Sequence, residues 1–401
     1  MKILFISLGC DKNLADSEEM LGLLTGSGHE IVDSEEDADA IVINTCCFIH
    51  DAKEESVNTI LEMAEYKKTG KCKALIVTGC MAQRYKEEIT QEIPEVDAVL
   101  GTTSYGDIVK ALNEAQAGHV FQEFRDINEL PEDSGRRVLT TGGHFGYLKI
   151  AEGCDKHCTY CIIPSLRGKF RSVPEERLLT QAEYMASQGV KELILVAQET
   201  TVYGTDLYGK KTLHILLKKL CQIKGIRWIR VLYCYPEEIY DELIQVMKEE
   251  KKICNYLDLP IQHASDRILK RMGRRTTRKQ LEDIITKLRR EIPDIVLRTS
   301  LITGFPGETQ EDHEELMEFV DEMEFDRLGV FTYSPEEGTP AETMEGQVSE
   351  KVKEERRDEL MSLQQEISLE KGDERIGQEL VVMIEGKVSG ESAYIARTYA
   401  D

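Results

Sequence analysis

Apolar residues in the first hundred or so positions arrive in short dense runs separated by amphipathic stretches. Ile3 to Leu8 is apolar and bounded by Gly9; Ala40-Ile41-Val42-Ile43-Asn44, Ala74-Leu75-Ile76-Val77-Thr78 and Val96 to Leu100 repeat the form. Each reads as a buried strand. Asn13 to Leu24 instead places Leu14, Met20, Leu21, Leu23 and Leu24 at helical spacing and ends at Gly26 and Gly28, and residues 51–66 form a second amphipathic helix. Strand and helix in alternation imply a parallel sheet covered by helices, so residues 1–115 form an open α/β domain.

The pattern loosens over residues 116–146, where Pro131, Gly135 and Gly142-Gly143 mark a linker or a pair of extended segments. From Tyr147 a strand-then-helix unit recurs. Strands are expected at Tyr147–Glu152, Glu192–Gln198, Ile226–Tyr233, Tyr256–Ile261, Ile295–Thr303 and Arg327–Tyr333, with helices such as Glu175–Gln188, Leu213–Cys221, Lys279–Arg290 and Glu311–Met323 between them. Residues 147–348 therefore predict a partial (β/α)6 TIM-like barrel with its site at the carboxyl ends of the strands. A charged helix over 349–371 links to a β segment, 372–401, that is too short for an independent β-barrel and reads as incomplete.

Composition narrows the function. The 401 residues are 41% hydrophobic and 31% charged, which is ordinary for a soluble protein of two or three domains. No run approaches ~18 apolar residues and no signal peptide is evident, so a cytoplasmic location without membrane association is expected. The net charge of −24 suits a basic protein partner better than a nucleic-acid substrate, whose phosphates need neutralising. Eleven cysteines in a reducing compartment favour metal or redox roles over disulfides.

Cys10, Cys46 and Cys80 each lie just past a strand end. The carboxyl ends of parallel strands share one rim, so three thiolates can meet there around one metal site. The alternative is three buried cysteines with no role. Cys47 points away from its neighbour, and Cys72, Cys221, Cys234 and Cys254 have no ligand spacing. Cys154, Cys158 and Cys161 lie on the loop after the first barrel strand, at Cys-x3-Cys-x2-Cys spacing. Three thiolates leave one position of a [4Fe-4S] cubane open to a small molecule; the competing reading is a structural zinc knuckle.

That loop, with Tyr160 before its third cysteine, resembles the signature of the radical S-adenosylmethionine (SAM) enzymes. The order of the whole chain resembles the methylthiotransferases: a cluster-bearing N-terminal domain, a radical SAM domain and a TRAM-like β segment. Ser7-Leu8-Gly9-Cys10-Asp11-Lys12-Asn13-Leu14-Ala15-Asp16-Ser17-Glu18 is similar to the branch that modifies an aspartate of a ribosomal protein. Pro260-Ile261-Gln262-His263-Ala264-Ser265, Arg271-Met272-Gly273-Arg274-Arg275 and Ile162 to Gly168 point the same way.

The resemblance implies that Cys154, Cys158 and Cys161 hold the SAM-binding [4Fe-4S] cluster, and that Cys10, Cys46 and Cys80 hold an auxiliary one. The implied product is 3-methylthio-aspartate in small-subunit ribosomal protein twelve. Two SAM are used per turnover, one for the 5′-deoxyadenosyl radical and one as methyl donor, with a flavodoxin or ferredoxin as reductant. A tRNA adenosine methylthiotransferase shares the same cysteines and is the alternative. For SAM itself the candidates are Tyr160 near the adenine, Gln198 and Glu199 at the end of the second barrel strand, and Arg298, whose charge in a strand requires a partner. For these, packing or capping roles stay open. Gly304-Phe305-Pro306-Gly307-Glu308-Thr309 reads as a rim turn whose glycines admit a ligand or simply turn the chain.

Overall fold

A computed structural model describes residues 1–132 and 135–400, which divide into two compact units. The first comprises residues 1–140, 151–156 and 161–173; the second comprises 141–150, 157–160 and 174 onward.

In the first unit β1 (Lys2–Ser7), β2 (Glu30–Val32), β3 (Ala40–Thr45), β4 (Ala74–Gly79), β5 (Ala98–Leu100) and β6 (Phe121–Glu123) form one sheet in the order β2-β1-β3-β4-β5-β6. Every pairing is parallel. β3 and β4 are buried at every residue, as expected of strands covered on both faces. Alternate residues serve opposite layers. Ile41, Ile43, Leu75 and Val77 pack with Ile60 and Met63 of α2 (His50–Thr69). Val42 and Ile76 pack with Met20 and Leu24 of α1 (Asp11–Gly26) and with Ile108 and Leu112 of α5 (Ile108–Gln116). Two short helices, α3 (Cys80–Tyr85) and α4 (Glu87–Glu92), stand between β4 and β5.

β2, absent from the sequence reading, and β6, within the stretch read as a linker or a pair of extended segments, complete this sheet. β2 is decisive: with it at one edge the strand order reverses between β1 and β3, which makes that crevice the topological switch point. The stretch expected as a linker is held to this unit as far as Thr140. Glu18 of α1, fully buried, takes Arg137 Nε at 2.8 Å and the Thr140 amide at 2.7 Å.

The expected strand Tyr147–Glu152 is split. β7 (Phe145–Lys149) belongs to the second unit, whereas β8 (Ala151–Glu152) pairs antiparallel with β9 (Arg171–Ser172) in the first. Between them runs α6 (Ile163–Arg167). Past the break the buried Glu152 carboxylate faces Arg167, 3.4 Å from Nη1.

The second unit continues with α7 (Glu175–Ser187), β10 (Glu192–Val196), α8 (Thr205–Tyr208), α9 (Leu213–Leu220), β11 (Trp228–Val231), α10 (Asp241–Glu249) and β12 (Ile253–Asp258). Then follow α11 (Asp266–Arg271), α12 (Arg278–Glu291), β13 (Val296–Thr303), α13 (Gln310–Met323) and β14 (Arg327–Thr332). Its sheet runs β7-β10-β11-β12-β13-β14, in strict chain order and wholly parallel, with helices between the strands. α12 and α13 start on capping boxes built by Thr277 with Gln280 and by Thr309 with Asp312.

The charged helix α14 (Glu350–Asp373) packs on this sheet. Lys353 Nζ reaches the Tyr333 carbonyl at 2.8 Å, and a Cβ on Gly304 would meet the Lys353 stem at 2.1 Å. Gly304 thus lets the turn approach α14 closely. A hairpin, β15 (Met383–Lys387) with β16 (Tyr394–Arg397), follows. Its end closes the sheet at the amino ends of the strands: Arg397 Nη2 meets Glu192 at 2.6 Å, and Tyr399 and Ala400 join Cys254, Tyr256 and Val296. Glu192, at 0% exposure, also takes Arg230 Nε at 2.7 Å. Glu192→Ala would leave the buried Arg230 guanidinium without its carboxylate and take from Arg397 one of its two carboxylate partners, Glu385 remaining. The expected loss is about 3–5 kcal/mol of unfolding free energy, read by urea denaturation. Among the described residues no helix is long and apolar enough to cross a membrane.

Candidate active site

The first constellation stands on β1, β3 and β4. Cys10 caps α1, Cys46 follows β3, and Cys80 opens α3. These are the strand ends at and beside the switch point, where an open α/β sheet binds its ligand. Gly79 turns the chain at φ 94°, and a Cβ there would lie 2.3 Å from Asn44 Oδ1, so only glycine carries β4 into the Cys80 helix. Gly9, at φ 87°, plays the same part before Cys10, its missing Cβ falling 2.7 Å from that of Cys46.

The thiols feel one another electrostatically. Burial foremost, then the neighbouring Cys80 and Cys10, push the Cys46 thiol up to about 11. Burial also raises Cys80, opposed by the Arg167 guanidinium. Cys46 and Cys80 are buried and Cys10 is exposed, so the trio faces solvent on one side. Cys47 lies in the apolar core with Ile43 and Ile60, and burial raises its thiol to about 12. Among the described residues no three or more His, Cys, Asp or Glu side chains are drawn close enough to hold a single metal ion. An all-thiol donor set of three fits an iron–sulfur cluster that keeps one open position.

The residues that tie these three loops together were not found by sequence reasoning. Asn13 Nδ2 donates to the carbonyls of Leu8 at 3.2 Å and Thr45 at 3.0 Å, binding the loops of Cys10 and Cys46. Its Oδ1 accepts from Arg167 Nη2 at 2.5 Å, and the same nitrogen lies 3.6 Å from Cys80 Sγ. Arg167 Nη1 pairs with Asp16 at 2.8 Å and lies 3.4 Å from Glu152. The Gly-Cys-x-x-Asn-x-x-Asp spacing at residues 9–16 and the Ile162–Gly168 stretch that carries Arg167 hinted at it, but both served as family motifs without a mechanism.

The second constellation is the loop Cys154–Cys161. The Cys154 amide donates to the Gly168 carbonyl at 3.1 Å, and its sulfur accepts from the Lys156 amide at 3.4 Å. Cys158 Sγ stands 3.9 Å from the Tyr235 hydroxyl, whose ring carries the Arg274 guanidinium at 4.3 Å. The Thr159 amide donates to the Met272 carbonyl, and a Cβ on Gly273 would sit 2.9 Å from the His157 carbonyl. The Arg271–Arg275 stretch thus backs this loop. Cys154 and Cys158 are buried and Cys161 is half-buried.

The SAM candidates fall into two groups. Gln198 and Glu199 follow β10; Gln198 Oε1 is buried without a hydrogen-bond partner, and Glu199 accepts from the Thr201 hydroxyl. Tyr160 packs edge-on to Phe305, beside Tyr333 and Met272. Arg298 finds its partner in the protein: Nη1 binds Asp258 Oδ1 at 2.8 Å, with the Arg298 side chain 39% exposed. Asp258 also accepts from the Tyr233 amide at 3.1 Å. Tyr233 (φ 60°) and Gln262 (φ 72°) hold left-handed backbone just past β11 and β12, strain of the kind found at binding rims.

Known proteins settle the family. Residues 2–101 match the uncharacterized protein family UPF0004, and residues 148–320 match the radical SAM superfamily. The ribosomal protein uS12 methylthiotransferase RimO of Lachnoclostridium phytofermentans is 65% identical over 401 residues, all of this chain and 91% of that protein. The protein of the same name from Clostridioides difficile is 50% identical, over all of this chain and 90% of its own. The chain belongs to the ribosomal protein uS12 methylthiotransferases. Methylthiotransferases of this family are radical SAM enzymes that use SAM and [4Fe-4S] clusters. The fold is shared more widely. The radical SAM methyltransferase TsrM from Kitasatospora setae superposes with a TM-score of 0.61 at 12% identity, over 85% of this chain and 74% of its own. The cobalamin-dependent radical SAM enzyme OxsB gives 0.56 at 15% identity, over 92% of this chain and 56% of that one.

Proposed function

We propose that this methylthiotransferase replaces a β-hydrogen of one aspartate in ribosomal protein uS12 by a methylthio group. The observation that carries the reading is the pair of three-cysteine constellations, one at a switch point and one on a loop at the head of a (β/α)6 sheet. Cys154, Cys158 and Cys161 are assigned the SAM-binding [4Fe-4S] cluster, and Cys10, Cys46 and Cys80 the auxiliary one. When bound, these groups supply reductive cleavage of one SAM to methionine and a 5′-deoxyadenosyl radical that takes the hydrogen, a sulfur for the carbon, and a methyl group from a second SAM.

The need for radical chemistry follows from the target, since that C–H has no acidity a side-chain base could match. The protein supplies placement. Gln198 Oε1 offers an acceptor to the SAM ammonium. Arg298, fixed by Asp258, turns its remaining N–H groups toward a carboxylate of SAM or substrate. Burial of Cys46 and Cys80 keeps water from the sulfur source, and exposed Cys10 leaves the target a way in. The net charge of −24 favours a basic protein over an anionic polynucleotide. A flavodoxin or ferredoxin of the cytoplasm is the proposed electron donor.

The test offers the reconstituted enzyme purified uS12 and tRNA in parallel. The expected result is a mass gain on an aspartyl peptide of uS12 that corresponds to methylthio for hydrogen. Incorporation only into tRNA would overturn the assignment.

A further inference from the structure

Arg167 has no task in the chemistry above, yet it is among the most constrained side chains of the first unit. It is 3% exposed, and each terminal nitrogen is aimed at a different kind of partner. Nη1 faces two buried carboxylates, Asp16 at 2.8 Å and Glu152 at 3.4 Å. Nη2 faces Asn13 Oδ1 at 2.5 Å and Cys80 Sγ at 3.6 Å. The carboxylates fix the plane of the guanidinium, and the plane fixes where Nη2 points. A lysine could not make both sets of contacts, because its ammonium is a point charge without a rigid fork.

We propose that Arg167 is a positioning residue of the auxiliary cluster, donating a charge-assisted N–H···S bond to the Cys80 thiolate and raising the cluster's reduction potential. This rests on the assignment of Cys10, Cys46 and Cys80 to that cluster. The physical argument is short. One-electron reduction adds a negative charge to the cluster, and a cation in a water-poor site stabilises the reduced form more than the oxidised one. Hydrogen bonds to the ligating sulfurs act in the same direction. Arg167 is also six residues beyond Cys161, on the helix that leaves the three-cysteine loop. A single stretch of chain therefore carries ligands of one cluster and the cation that tunes the other.

The experiment is an anaerobic redox titration with dithionite, read by electron paramagnetic resonance, on full-length reconstituted wild type, Arg167→Gln and Arg167→Lys. It is run with and without SAM; the wave that SAM leaves in place belongs to the auxiliary cluster. In Arg167→Gln that wave should move so that the reduced-to-oxidised ratio at a fixed potential falls about tenfold, about 59 mV for one electron. Arg167→Lys keeps a charge facing Asp16 and Glu152 and should fold even if the glutamine variant does not. Its wave should move the same way by less. Arg137→Lys, at an equally buried ion pair on Glu18, should lower stability without moving either wave. An auxiliary wave unmoved in the folded Arg167 variants overturns the proposal. If wild type binds only about four irons and shows no SAM-insensitive wave, the auxiliary assignment fails first, and the inference with it.

Discussion

Replacing Cys154 by alanine is expected to abolish both 5′-deoxyadenosine formation and methylthiolation, with reconstituted iron falling from about eight to about four per chain. The effect is total because no side chain can substitute for the radical. The variant should nevertheless fold. The loop is held mainly by main-chain bonds, from the Cys154 amide to Gly168 and from the Thr159 amide to Met272, and a β-carbon at 154 is kept. Liquid chromatography of dithionite reactions with SAM measures the nucleoside, and mass spectrometry of uS12 measures the product. Nucleoside formation at the wild-type rate would remove Cys154 from the cluster.

Cys80→Ala should separate the two halves of the reaction. Iron again falls to about four per chain and no methylthio group reaches uS12, but 5′-deoxyadenosine still forms at close to the wild-type rate. Alanine is a good helix former at the first position of α3, so the local backbone survives. Loss of 5′-deoxyadenosine together with sulfur insertion would show that Cys80 serves the radical-generating cluster, and the division of labour proposed here would fall.

Much of this was legible in the chain because the signals are local. β3 and β4 are dense apolar runs, and Cys10 and Cys80 stand beside the glycines, Gly9 and Gly79, that mark the turns. The Cys-x3-Cys-x2-Cys loop is a spacing within eight residues. β2 was missed because Glu30-Ile31-Val32 is only three residues at a sheet edge, too short for a period. Without it the strand order showed a rim but no reversal, and the reason Cys10 and Cys46 share a crevice stayed hidden. Arg167 was illegible for a different reason: its partner Asn13 lies 154 residues away, and no pattern spans that interval. Arg298 shows the intermediate case. A charge in a strand announces that it requires a counter-charge, but sequence does not say that Asp258, on the next strand, supplies it. The glycines of the Gly304 turn read as room for a ligand or a plain turn, and sequence did not say that Lys353 packs against Gly304 and Arg271 against Gly307.

The first compact unit is not continuous in the chain: it borrows residues 151–156 and 161–173 from beyond β7. As the polypeptide leaves the ribosome, a nascent chain ending near residue 146 would expose Asp16 without its guanidinium and β8 and β9 would not yet exist. The six-stranded sheet ends at Glu123, but the contacts Arg167 makes with Asp16, Asn13 and Cys80 await residues well beyond it. The side-chain network beside Cys80 is complete only once the Cys-x3-Cys-x2-Cys loop and the helix after it have been synthesised. Dissection at the apparent linker would part Arg167 from Asp16 and Asn13.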